Sequence, residues 1–244
     1  MGGGHAAAVR GASSVLPGRM TPSRTNAADW GVAMPGNPPS VNTEREALVA
    51  YLVQQRDGLK YAAYGLTEQQ ARARPTVSAL SVAGLIKHAA TTEKSWIQTM
   101  TGNVDYANER VYLDSFTLTE EETLESVIAD LDQVAAATEA AVTALDDLGH
   151  KVRLPAAPWY PEDPEGFSAR WILLHVLEEL ARHAGHADII REHIDGATMY
   201  ELMAAAEGWP GTDWLKPWRP KVDRDSAGSN VDEDSGGGPR TGEK

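Results

Sequence analysis

The chain has 244 residues, 42% of them hydrophobic, and a formal net charge of -13, which allows one sizeable core plus tails. The acidity argues against a nucleic-acid partner, whose phosphates are held by the Lys and Arg clusters missing here, and leaves small molecules as the expected partners. No apolar run approaches the roughly 18 residues needed to span a bilayer, the opening MGGGHAAAVRGASSVLPGR is too weakly apolar for a secretory signal, and cysteine is absent, so the cytoplasm is the expected location and any sulfur chemistry needs an external thiol.

Residues 1 to 40 are rich in Gly, Ala, Ser and Pro without periodicity and are expected to be disordered. Thr43 with Glu46 reads as a capping box opening a first helix near 43 to 65, and a short helical turn near 67 to 73 ends before Pro75. A second helix, capped by Ser81, is expected near 81 to 101, ending at Gly102. A third, opened by Thr119 and Glu122, is expected from 119 to 145. After the Pro-rich connection LPAAPWYPEDPEGF, a fourth helix capped by Ser168 covers 168 to 195 and stops at Gly196, followed by a short helix near 198 to 207 with a Thr198/Glu201 box. Nothing reads as a strong strand. The expected fold is all-α: a four-helix bundle over 41 to 207, with an acidic, largely disordered tail over 208 to 244.

The fourth helix carries the chemistry. In WILLHVLEELARHAGHA, His175, Glu179, His183 and His186 fall within roughly 40° of one line at 100° per residue, as does His193. Ile172, Val176, Ile190 and Ile194 flank that line. Ionisable groups on an inward face are costly unless compensated, and a metal ion is the simplest compensation. A solvated face would carry Lys and Glu instead of His bracketed by Ile and Val. Neighbouring members of the stripe can chelate one ion, whereas i, i+4 and i+8 together span too far, so another helix must complete the set. His88 is the other histidine placed inside a core helix. The pair on the fourth helix is His175 with Glu179 or Glu179 with His183, and spacing does not choose. His193, His150 and His5 read as ordinary surface or tail residues.

His88 in LIKHAATTEKSW and the run HVLEELARHAGH resemble the DinB-like superfamily of metal-dependent four-helix bundles, and especially its mycothiol-dependent S-transferase and maleylpyruvate isomerase-like branch, over residues 41 to 207. The resemblance implies His88, Glu179 and His183 as metal ligands. It leaves His175 and His186 as catalytic or supporting residues, with His186 standing where many relatives carry Gln. Zinc is the implied metal, nickel and iron being known in relatives, and a homodimer is a candidate assembly.

The reaction so implied is transfer of a thiol: a divalent metal activates the thiolate of mycothiol, or a similar low-molecular-weight thiol co-substrate, for attack on a small electrophilic acceptor. Reversible addition to a double bond would give cis/trans isomerisation instead. Trp96, Trp171 and the Trp159 to Phe167 connection are candidate walls for the acceptor, and Arg182 a candidate partner for a carboxylate. The competing readings are a hydrolase using metal-activated water and a non-catalytic stress protein in which metal staples the bundle.

Overall fold

The computed structural model describes residues 36–102, 109–154, 160, 162 and 165–220. The expectation of disorder before residue 36 and after residue 220 lies outside them. The helices among the described residues are α1 (Glu44–Ala63), α2 (Glu68–Arg72), α3 (Val82–Met100), α4 (Glu109–Asp114), α5 (Leu124–Ala144), α6 (Ala169–Asp195) and α7 (Met199–Glu207). β1 (Lys151–Val152) and β2 (Phe167–Ser168) form a short antiparallel ladder, Lys151 opposite Ser168 and Val152 opposite Phe167, that leads into α6.

The local signals act as the sequence implies. Thr43 Oγ1 accepts from the Glu46 N–H while the Glu46 carboxylate accepts from the Thr43 N–H, closing the box that starts α1. Ser81 and Ser168 cap α3 and α6 by accepting from the Gly84 and Trp171 N–H groups. Gly196, at φ 80°, ends α6 in the left-handed region that costs glycine nothing. One expectation is corrected. The third long helix begins at Leu124, not 119, with Thr123 as its cap. Glu122 does accept from the Thr119 N–H at 2.6 Å, but its carboxylate also holds Lys87 of α3 at 2.8 Å, which ties 119–122 to α3 as a loop. The six-residue α4 was not anticipated, since so short a segment shows no periodicity.

The four long helices form the bundle. α1 packs on α6, α3 on both α5 and α6, and α1 also touches α3 and α5. Leu52, Leu59, Leu85, Ile86, Leu131 and Ile172 fill its interior. The chain does not leave the bundle at Glu207. Trp209 and Leu215 pack with Met203 and Ala204, and the Trp218 ring lies 4.9 Å over the Arg191 guanidinium. Arg191, fully buried, donates to the Ala62 and Tyr64 carbonyls at the end of α1 and pairs with Asp195. These bonds satisfy carbonyls that a helix end leaves open.

A second buried cation joins three helices. Arg56 of α1 donates through Nε and Nη2 to the two carboxylate oxygens of Glu93 on α3, at 3.0 and 2.6 Å. Thr138 of α5 donates to the same carboxylate at 2.5 Å. Because a lone buried charge is costly while a matched pair roughly breaks even with apolar residues, Arg56→Ala is expected to lose about 3–5 kcal/mol in urea denaturation. The double change Arg56→Met with Glu93→Leu should lose much less. Equal losses would show that the pair itself, not the orphaned carboxylate, carries the stability.

Candidate metal centre

His88 sits mid-α3 with no exposed surface, on the side of the helix that faces α6. Its imidazole stacks on the Phe116 ring at 3.8 Å and meets the edges of Tyr112 and His183 at 5.3 and 4.7 Å. Nδ1 lies 2.8 Å from Ser115 Oγ and Nε2 3.3 Å from Thr92 Oγ1. Burial, reinforced by the nearby His183, lowers its pKa to about 4 against the pull of Glu179. At neutral pH it is an uncharged imidazole, the form that ligates metals.

α6 brings the other two groups to it. Glu179 is half-buried, and its Oε2 lies 3.4 Å from Nε2 of the buried His183. The hydrogen bond with His183, with help from His175 and His88, holds the carboxyl below its usual range despite burial. One donor atom each from His88, Glu179 and His183 lie within 4.8 Å of one another, and all three residues line one small cavity with Thr92, Glu93 and Val176. The set fits a divalent cation: two imidazoles and an anionic carboxylate at zinc's usual 2.0–2.2 Å would stand roughly 3.5 Å apart, a small closure from the separations here.

The remaining stripe lies around this trio. His186 Nδ1 is 3.3 Å from His183 Nδ1, so the two rings share a hydrogen bond behind the cavity. His175 stacks on Trp171 at 5.2 Å and meets Trp96 at 4.7 Å, with Nε2 3.9 Å from Glu179 Oε1. Trp96 and Trp171 contact each other at 5.8 Å, and Tyr160 and Phe167 extend the ring cluster. Arg182 is 61% exposed and pairs with Glu178 at 2.6 Å. His193 bonds the Ile189 carbonyl on the surface. Trp159 lies outside the described residues. Ser115, Tyr112 and Phe116 were not anticipated as neighbours of His88: they come from α4 and its end, far from the stripe in sequence, and no spacing links them to it.

The low pKa of His88 has a signed consequence. Between about pH 6.5 and 4 the unfolded chain takes up a proton that the folded, metal-free chain refuses. Stability of chelator-treated protein is therefore expected to fall as pH drops through that window, by up to about 3 kcal/mol, and to level off below it. Urea midpoints measured against pH, wild type minus His88→Leu, isolate this contribution; a difference that is flat with pH would contradict a neutral buried His88.

Residues 47–196 match the family model described as mycothiol-S-transferase. No curated protein matches the chain. A crystal structure titled as the conserved protein of locus from Enterococcus faecalis is similar at 14% identity and a TM-score of 0.47, over 64% of this chain and 100% of that one. The family match takes in the whole of α3, α5 and α6, and with them all three candidate ligands. The chain belongs to the mycothiol-S-transferase family.

Proposed function

We propose that the protein transfers the sulfur of mycothiol, or of a similar low-molecular-weight thiol, to a small electrophile at a divalent-cation site made by His88, Glu179 and His183. The observation that carries this reading is the convergence of those three donors in one cavity within a chain that matches a thiol-transferase family and has no cysteine of its own. When bound, a cation there supplies the Lewis acidity that keeps a thiol in its thiolate form. Zinc suits two imidazoles and a carboxylate, with nickel or iron the alternatives.

The chain's own residues prepare the site. In the arrangement described, His183 Nε2 lies 3.4 Å from Glu179 Oε2, near enough for a proton on that nitrogen to be shared with the carboxylate. Ligation through Nε2 requires that proton to leave or to reside on Nδ1, and His186 Nδ1, 3.3 Å away, is placed to accept a hydrogen bond from it there. His186 thus fixes the ring as a ligand, in place of a fourth donor. His175 lies between Glu179 and the tryptophans, where its ring can orient an acceptor. Trp96 and Trp171, both half-buried, form the apolar wall of the acceptor pocket. Because Glu178 already pairs with Arg182, a carboxylate of the thiol would have to compete with that pair. Attack with departure of a leaving group gives a conjugate, and reversible addition to a double bond gives isomerisation. The work is assigned to the cytoplasm; in the structure, no helix among the described residues is long and apolar enough to cross a membrane.

Metal analysis beside an assay of mycothiol consumption with an electrophile tests the reading. Wild type is expected to carry about one equivalent of metal, and His88→Ala and His183→Ala to lose metal and activity together, by 100-fold or so. His193→Ala should stay within about twofold of wild type. Full activity in the ligand variants would sink the assignment, and metal with ester hydrolysis but no thiol consumption would replace transfer by hydrolysis. Trp96→Leu and Trp171→Leu are expected to raise the acceptor's KM about tenfold with metal content unchanged; an unaltered KM would remove these rings from the pocket.

A further inference from the structure

Ser115 follows α4 directly and is almost fully buried against α3. Its hydroxyl has two close partners: the Tyr112 carbonyl at 2.5 Å and His88 Nδ1 at 2.8 Å. A serine hydroxyl carries one proton. The carbonyl can only accept, so that proton goes to Tyr112, and the oxygen facing His88 is left as an acceptor. His88 Nδ1 must then be the donor. A neutral imidazole with its proton on Nδ1 presents a bare lone pair at Nε2, the nitrogen on the side of Thr92, whose hydroxyl can donate to it at 3.3 Å.

The seat of Ser115 is built by an unusual approach of backbone to helix. A Cβ on Gly84 would lie 2.1 Å from the Phe116 carbonyl oxygen and 3.0 Å from its carbonyl carbon. Gly84 is one turn before His88 on the same side of α3. Only glycine there lets residues 115 and 116 come down onto the helix, Ser115 to the edge of the imidazole and Phe116 flat against its face at 3.8 Å.

We infer that Ser115, seated by the contact of Phe116 with Gly84, is a positioning residue that holds the proton of His88 on Nδ1 and keeps Nε2 open toward Glu179 and His183. The step to metal affinity rests on His88 being a ligand; the position of the proton does not. Metal ligands are commonly oriented through their second nitrogen in this way, and loss of such a partner typically costs 10–100-fold in affinity.

Nitrogen-15 NMR of the histidine rings in the chelator-treated full chain at pH 7.5, with His88 assigned from the His88→Gln spectrum, reads the tautomer directly. The expected result is protonated Nδ1 and unprotonated Nε2 for His88, moving toward the other tautomer in Ser115→Ala. Zinc affinity, from competition with a chromogenic chelator, should fall about 10–100-fold in Ser115→Ala and recover in Ser115→Thr, which restores the hydroxyl. Gly84→Ala should reproduce both changes while Ser115 itself is intact. A purely structural serine would leave the tautomer unmoved. A wild-type His88 protonated on Nε2, or a tautomer and an affinity indifferent to Ser115→Ala, would overturn the inference. The Nδ1–H form in a wild type that binds no zinc would instead uphold the positioning and remove the metal reading.

Discussion

The structure turns on the cost of placing ionisable side chains in the seam between α3 and α6. His88 is fully buried, His183 nearly so, and Glu179 stands between them. Imidazoles kept from water are tolerated at low cost only if each ring nitrogen has a partner. The partners come from every side: Ser115 and Thr92 for His88, and Glu179 and His186 for His183. Phe116 and Tyr112 pack against the His88 ring. Such an arrangement is expensive as architecture alone, a cost that binding a cation would offset.

The same seam explains why the bundle holds a second charged cluster. Glu93 lines the cavity together with His88 and Glu179, but both its oxygens are occupied by Arg56 and one also by Thr138. A carboxylate neutralised in this way does not compete for a cation, and it ties α1 and α5 to the helix that carries His88. The two acids beside one cavity are therefore set apart by their partners. One is paired with a guanidinium, while the other has the imidazoles of His183 and His175 as its ion-pair partners among the described residues.

Much of this is legible in the residues. Capping boxes and serine caps mark helix starts because they are local, and the stripe of α6 is visible because helical periodicity over 27 residues leaves few other faces for it. The choice of Glu179 with His183 came from family resemblance; spacing left His175 equally eligible, and in the folded chain it is drawn toward Trp171, Trp96 and Glu178. What escapes is tertiary. The false start at Thr119 arises because Glu122 serves Lys87 as well as its own turn. Ser115 has no signature, since its role depends on Gly84, 31 positions earlier, admitting a carbonyl. The packing of Trp209, Leu215 and Trp218 beyond α7 is equally hidden, apolar residues in a segment whose composition otherwise reads as tail.

Because the chain contains no cysteine, X-ray absorption at the metal edge tests the central claim with little ambiguity. Protein loaded with zinc should show only nitrogen and oxygen neighbours, and addition of mycothiol should bring in one sulfur at about 2.3 Å. That sulfur, absent in His183→Ala, is what a thiol-transferring site requires. A metal shell unchanged by saturating thiol would contradict the account.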